Sequence, residues 1–271
     1  MTAESIQMRP SRVLATLRAG GTAHCVKLNT CDARVAELAA LCGFDCVWTD
    51  LEHVPNSLKD IEAGVRAAKA GGADALVRVS RGSYSDLIHP LEMDATGIMV
   101  PHVMSADDAR QVAWYTRFHP VGRRPLDGGN ADGAYCMIPL AEYMRQANEQ
   151  RFVVAQIEDP EPLAELDEIA AVPGIDMLFF GPGDFSQGIG APGAWGDPRI
   201  GDARRRVAEA AREHGKFAGT VGGLDNIQEL IRMGYQFLSI GADVVGLGEY
   251  FRRLVTGFKE RTACEEPKAS R

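Results

Sequence analysis

One pattern constrains this chain more than any other: a short apolar run, a polar or glycine-containing turn and a helix-period stretch recur along its 271 residues. The apolar runs are Ala23–Leu28, Cys46–Leu51, Ala75–Val79, Ile98–Val103, Phe152–Ile157, Met177–Phe180, Phe217–Val221 and Phe237–Ile240. Helix-period segments separate them: Asp32–Leu41, Leu58–Ala70, Ala106–Phe118, Pro162–Ala171, Ile200–His214, Asp225–Met233 and Gly246–Glu260, after an opening helix over Ser11–Ala19. Alternation at this spacing requires parallel strands joined by helical crossovers. Eight units over roughly 250 residues predict an α/β protein built as a single (β/α)8 TIM barrel, with a polar tail from about Glu265. The competing architecture, a doubly wound open sheet, usually carries a glycine-rich dinucleotide turn after its first strand, and Asn29-Thr30-Cys31-Asp32 contains no glycine.

A formal net charge of −8 argues against a non-specific grip on nucleic acid or on an anionic membrane, which leaves small molecules as the expected partners. No apolar run approaches the ~18 residues of a membrane span, and Met1–Arg12 lacks the apolar centre of a secretory signal. The six cysteines are scattered, most in apolar surroundings, which fits a reducing cytoplasm. Cys42 and Cys46 have no second Cys or His pair at a zinc-site spacing.

A barrel carries its active site at the C-terminal ends of its strands, and here those ends are polar. The run ending at Phe180 is followed by Gly181-Pro182-Gly183-Asp184-Phe185-Ser186, which offers a carboxylate beside backbone N–H groups. The run before it ends in Glu158. Two rim carboxylates suggest a hard divalent cation; the alternative is that each caps the helix that follows. Strand one ends near Lys27 and Asn29, strand two in Asp50-Leu51-Glu52-His53, and strand three offers Arg78. Asp50 and His53 are near enough to meet across one turn, where a carboxylate fixes an imidazole tautomer and raises its basicity. Arg78 interrupts an apolar strand, so it must meet a buried acid or an anionic ligand, and the ligand is the favoured reading. His24, His89, His102, His119 and His214 read as supporting, surface or capping residues, and Trp48 as packing. The long connection His119–Met137 reads as a lid or a subunit contact.

Taken together, Gly43-Phe44-Asp45, Asp50-Leu51-Glu52-His53-Val54-Pro55-Asn56, Val77-Arg78, Val100-Pro101, Pro120-Val121-Gly122-Arg123-Arg124, Gln156-Ile157-Glu158 and Gly181 to Ser186 resemble the HpcH/HpaI family of divalent-metal-dependent 2-oxo-acid aldolases, relatives of macrophomate synthase. The likeness runs from about Arg12 to Gly246. It implies a cation (Mg²⁺, Mn²⁺ or Co²⁺) held by Glu158 and Asp184, with pyruvate or a similar 2-oxo acid chelating it. It further implies that the N–H groups of Gly183 and Asp184, in the Gly181 turn, receive the substrate carboxylate, that Arg78 stabilises the enolate oxygen, and that Asp50 and His53 form an acid/base pair. Glu52 would support the metal indirectly, and Glu92 the pocket. A homo-hexamer is also implied, with the Val121–Tyr135 loop near a neighbour's active site.

Three positions depart from the family pattern: Lys27 replaces a Trp, Glu92 an Asp, and Arg124-Pro125 an Arg-Gly. A lysine at the end of strand one must pair with an acid such as Glu92 or Asp50, or reach a negative group of the substrate. The resulting expectation is a class II aldolase acting on a 4-hydroxy-2-oxo acid, with a small 2-oxo acid and an aldehyde as partners. A 2-oxo diacid decarboxylase or lyase using the same site is the alternative enzyme, and a sensor or scaffold that only binds a chelated oxo acid is the non-enzymatic one.

Overall fold

The computed structural model describes residues 6–30 and 32–262. The eight apolar runs form β1 (Ala23–Lys27), β2 (Cys46–Asp50), β3 (Asp74–Arg78), β4 (Gly97–Val100), β5 (Phe152–Ile157), β6 (Met177–Phe180), β7 (Phe217–Gly222) and β8 (Phe237–Ala242). All neighbours are parallel, and β8 returns to β1 through Ala23↔Phe237, His24↔Leu238 and Cys25↔Ser239. That last pairing closes the barrel and decides against the open sheet.

Around it run α1 (Arg12–Arg18), α2 (Ala33–Leu41), α3 (Leu58–Ala70), α4 (Tyr84–Glu92), α5 (Ala106–Thr116), α6 (Leu140–Gln150), α7 (Leu166–Ala170), α8 (Pro182–Gly188), α9 (Pro198–Glu213), α10 (Ile227–Met233) and α11 (Asp243–Thr262). Three of them, α4, α6 and α8, do not announce themselves in the sequence. α4 carries Pro90 inside it, α6 buries only Tyr143, Gln146 and Ala147, and α8 opens on Pro-Gly-Asp, a turn composition. The predicted segment Pro162–Ala171 divides into a 3₁₀ turn over Glu161–Glu165 and the short α7. β4 stops at Val100, short of the expected Val103, because Pro101 has no N–H to donate and His102 turns the chain with φ +49°. Among the described residues no helix is long and apolar enough to cross a membrane. The polar tail from Glu265 lies outside the described residues, as do Cys31 and Cys264.

Strand side chains alternate between two faces, and in this barrel the inner face fills from below with large apolar groups. Cys25, Cys46, Trp48, Leu76, Met99, Phe152, Val154, Met177, Phe179 and Phe237 form that interior, and Val13, Leu14 and Leu17 of α1 plug its lower mouth. The outward residues pack under the helices, as Val47, Ala75 and Val77 do against Ile61, Val65 and Ala68 of α3. Continuing each inner column upward gives Lys27 above Cys25, Asp50 above Trp48, Arg78 above Leu76, and Gln156 then Glu158 above Val154. Parity alone therefore delivers a ring of charge to the upper mouth.

The connection His119–Met137 follows α5 and leads back toward the start of β5, so within one chain it lies at the lower mouth. Arg117 bonds the carbonyl of Arg151, immediately before β5, at 2.7 Å. The loop is ordered by a buried Arg124–Asp132 pair at 2.8 Å, and Asp132 also accepts from the Tyr143 hydroxyl at 2.7 Å. It does not cover this chain's own strand ends.

Gly97 is required by the barrel interior, since a Cβ there would sit 2.2 Å from Cε2 of Phe152. Gly97→Ala is expected to destabilise the protein by about 1–3 kcal/mol, with partial recovery in Gly97→Ala/Phe152→Leu. Denaturant unfolding of both variants measures this. Equal losses in the two would show that room for the ring is not what Gly97 provides.

Candidate active site

At the top of the inner columns, Asp50 is wholly buried and serves as an ion hub. Arg78 donates to its two oxygens through Nε (3.0 Å) and Nη2, and Lys27 Nζ lies 3.0 Å from Oδ2. The strand register enforces this meeting, because Asp50 pairs with Arg78 and Lys27 with Trp48 across adjacent strands. Both cations also stand over the Trp48 ring, at 5.3 Å for Lys27 and 5.0 Å for Arg78. Burial alone would push the Asp50 carboxyl up, but the Arg78 fork and Lys27 outweigh it and hold it at about 2. Asp50 is therefore a fixed anion.

Its remaining bonds go to the backbone. Oδ1 accepts from the N–H of Glu52 at 3.0 Å and of His53 at 3.4 Å, which ties down the turn after β2. The expectation that Asp50 would meet the His53 imidazole is corrected here: the carboxylate meets the turn's backbone, and the half-exposed ring lies 3.5 Å from Glu52 Oε2. Arg78 likewise meets protein acids, donating twice to the buried Asp50 and pairing by charge with the half-buried Glu52, whose Oε2 stands 3.0 Å from Nη1, so the favoured reading, a ligand for its charge, gives way to one in which protein acids engage it first. Lys27 pairs with Asp50 rather than with Glu92. α4 carries Glu92 to the opposite end of the barrel, where burial raises its pKa and its charged neighbours are Arg124 and Asp132.

Glu158 is the second buried carboxylate, 1% exposed. Gln156 donates to its Oε2, and the backbone N–H of His102 to its Oε1 at 3.0 Å. Gly181 passes so close that an added Cβ would lie 2.7 Å from Glu158 Oε2, so only glycine lets the start of α8 cross this carboxylate. Burial pushes Glu158 up to about 7; the His102 N–H and ring oppose the shift, while Asp184 and Glu52 add to it. Asp184 itself stands in the first turn of α8, half-buried, beside the Gly183 and Asp184 N–H groups, which have no intrahelical acceptor there.

The residue that sequence reasoning passed over is His102. Its Nδ1 lies 2.7 Å from Asp159 Oδ2, and its Nε2 faces inward, 3.6 Å from Glu52 Oε1 and 3.8 Å from Glu158 Oε1. Burial lowers its pKa, but Asp159, Glu158 and Glu52 together reverse that and raise it. A signal existed: the fourth strand end was the gap in an otherwise polar set, and His102 directly follows the Val100-Pro101 step that ends the strand. Glu52, His102 and Glu158 each bring one donor atom within 4.8 Å of the others. Such a donor set, with a carboxylate held against its charge and further acids beside it, fits a divalent cation.

A model of the HpcH/HpaI aldolase/citrate lyase family matches residues 26–247. The chain is 31% identical over 248 residues to a 2-keto-3-deoxy-L-rhamnonate aldolase of Shigella sonnei, covering 90% of this chain and 91% of that protein. It is 32% identical over 242 residues to a 2-dehydro-3,6-dideoxy-6-sulfogluconate aldolase of Pseudomonas putida, covering 88% and 93%. Among solved structures, a HpcH/HpaI aldolase/citrate lyase family protein from Burkholderia cenocepacia superposes with a TM-score of 0.85 at 27% identity, over 93% of this chain and all of that one.

The raised pKa of Glu158 fixes the sign of a pH effect. A carboxyl that titrates near 7 when folded and at 4.5 otherwise stabilises the fold below the lower value and loses that contribution as pH rises through the higher one. His102, also raised, acts in the same direction. Metal-free protein should therefore melt at lower temperature as pH climbs from about 5 to about 8, and Glu158→Gln should flatten the trend. A wild-type melting temperature that climbs across this window, unchanged by Glu158→Gln, would contradict the assignment.

Proposed function

This chain belongs to the HpcH/HpaI aldolase/citrate lyase family, and we propose that it is a divalent-metal-dependent aldolase that cleaves or forms 4-hydroxy-2-oxo acids through a pyruvate-type enolate and an aldehyde. The observation that carries the reading is Glu158: a buried carboxylate raised to about 7, facing Glu52 and His102 and repelled by Asp184, is poorly suited to a site without a cation. Bound there, the cation would supply Lewis acidity toward the keto oxygen of a 2-oxo acid and ease the build-up of enolate charge. Glu158 and Asp184 are the carboxylates proposed to hold it, with Glu52 in support.

The chain's own groups account for the remaining work. The guanidinium of Arg78 has five donors, of which two are bonded to Asp50; the Nη1 edge, beside Glu52, would turn to an enolate oxygen while the buried pair holds the plane in place. The unpaired N–H groups of Gly183 and Asp184, where α8 leaves Gly181, would receive the substrate carboxylate. His53, exposed at the rim, would take the proton from the 4-hydroxyl at an imidazole nitrogen, with Asp50 acting through the turn it braces. Lys27 is given to Asp50 and so shapes the site rather than binding the aldehyde. The two relatives are named for 3-deoxy-2-oxo acids, the arrangement that retro-aldol cleavage to pyruvate and an aldehyde requires.

We also propose a homo-oligomer, a hexamer by family resemblance, working in the cytoplasm. Its support is α11, a 20-residue helix with no buried residue, whose Tyr250, Phe251, Leu254, Val255 and Phe258 are all exposed. A second copy of this chain is the proposed cover, and the Val121–Tyr135 loop, placed away from its own strand ends, could then meet only a neighbour's. Light scattering should report an assembly; a monomer that is fully active when dilute would remove this part.

Chelator-treated enzyme should lose activity and regain it with Mg²⁺, Mn²⁺ or Co²⁺, and Glu158→Gln should abolish the recovery. The products should be pyruvate and an aldehyde; release of CO₂ from a 2-oxo diacid without any aldehyde would favour the decarboxylase instead. His53→Ala is expected to lower kcat by roughly 10²- to 10⁴-fold while oxo-acid affinity stays within a few-fold. Loss of metal binding in that variant would make His53 a ligand and not a proton carrier.

A further inference from the structure

We infer that His102 is an additional protein ligand, through Nε2, to the cation at Glu158, and that Asp159 is the residue that aims it. The inference rests on the metal-dependent reading above and extends it, since neither residue belongs to the carboxylate set proposed there. Three constraints converge on the imidazole. Its backbone is turned to φ +49°, a conformation uncommon for a residue with a side chain, and the turn is fixed by the N–H bond to Glu158 Oε1 at 3.0 Å. Its Nδ1 is engaged by Asp159 Oδ2 at 2.7 Å, which places the ring proton on Nδ1 and leaves the Nε2 lone pair facing inward. Its Nε2 stands 3.6 Å from Glu52 Oε1 and 3.8 Å from Glu158 Oε1.

Those separations suit ligation. Neighbouring donors on an ion with bonds of about 2.1 Å stand about 3.0 Å apart in an octahedron and about 3.4 Å in a tetrahedron. Bringing His102 Nε2 onto an ion shared with either carboxylate therefore needs shifts of only tenths of an ångström. A carboxylate hydrogen-bonded to the far nitrogen of a histidine is the usual way proteins orient an imidazole ligand. The chemical consequence is a change in selectivity: an all-oxygen site suits Mg²⁺, whereas an imidazole nitrogen favours the later first-row ions. The site should thus prefer Co²⁺ to Mg²⁺ through His102.

The test reads the metal and not turnover. Metal-free protein is loaded with Mn²⁺ and examined by pulsed EPR for nitrogen coupling, and Co²⁺ and Mg²⁺ affinities are measured by calorimetry for wild type, His102→Gln and Asp159→Asn. We expect nitrogen coupling in wild type and in Asp159→Asn but not in His102→Gln. The preference for Co²⁺ over Mg²⁺ should shrink at least tenfold in His102→Gln, and Asp159→Asn should weaken Co²⁺ binding about 10- to 100-fold. The wild-type spectrum needs no variant, so a poorly folding substitution cannot hide the answer. Mn²⁺ bound without nitrogen coupling, or with coupling that survives in His102→Gln, overturns the role of His102 and leaves the Glu158 site standing. No saturable Mn²⁺ binding at all overturns the metal-dependent reading and this inference with it.

Discussion

The upper mouth of this barrel depends on the burial of one carboxylate. Asp50 has no exposed surface, and a charge in that position is tolerable only with full compensation. Arg78 and Lys27 provide it from the two flanking strands, and the N–H groups of Glu52 and His53 complete it. The ends of β2 and β3 inherit this arrangement. Arg78 is locked because Asp50 must be neutralised; Glu52 sits inward beside its remaining charge; His53 stays at the rim because its backbone is bound below. Truncating either member of the central pair would strand the other inside the protein, a cost of roughly 3–5 kcal/mol in comparable buried pairs. The pair is best understood as a device for geometry, since a hydrophobic replacement could be equally stable and would position nothing.

Glu158 presents the reverse situation. It is as deeply buried as Asp50 but receives only an amide, a backbone N–H and a nearby imidazole, while Glu52 and Asp184 oppose its charge. The two carboxylates consequently separate by several pH units, one held at about 2 and the other raised to about 7. Within one small volume the fold thus contains an anion that is always charged and one whose charge calls for a partner.

How much of this was legible in the sequence follows from the physics of each element. The strands were, because inner and outer faces of a closed barrel are both apolar, and seven of the eight runs match their strands to within a residue or two at each end. The helix α4 was not, because Pro90 argues against a helix unless tertiary contacts override it, and α8 was not, because Pro-Gly-Asp reads as a turn. Lys27, Asp50, Arg78 and Glu158 could be placed at one mouth from parity, yet their pairing needed register, which sequence spacing does not carry. His102 shows the limit most clearly: its neighbours Asp159, Glu158 and Glu52 come from two other strand ends, and a lone histidine after a proline gives no hint of them.

The distribution of charge separates the two ends of the barrel by purpose. At the lower end the acids have their own cations: buried Asp74 meets Arg9, Asp45 meets Arg12, Asp94 meets Lys69 and Arg151, and Asp132 meets Arg124, while the half-buried Asp176 meets Arg117. These pairs close the mouth around the α1 plug. At the upper end Asp50, Glu52, Glu158, Asp159 and Asp184 gather against Arg78, Lys27 and the imidazole of His102. A fold selected for stability alone would gain by balancing that mouth as it balances the other. The retained excess of negative charge at that mouth, where the other end matches its acids one by one, is the physical reason to place a cation there.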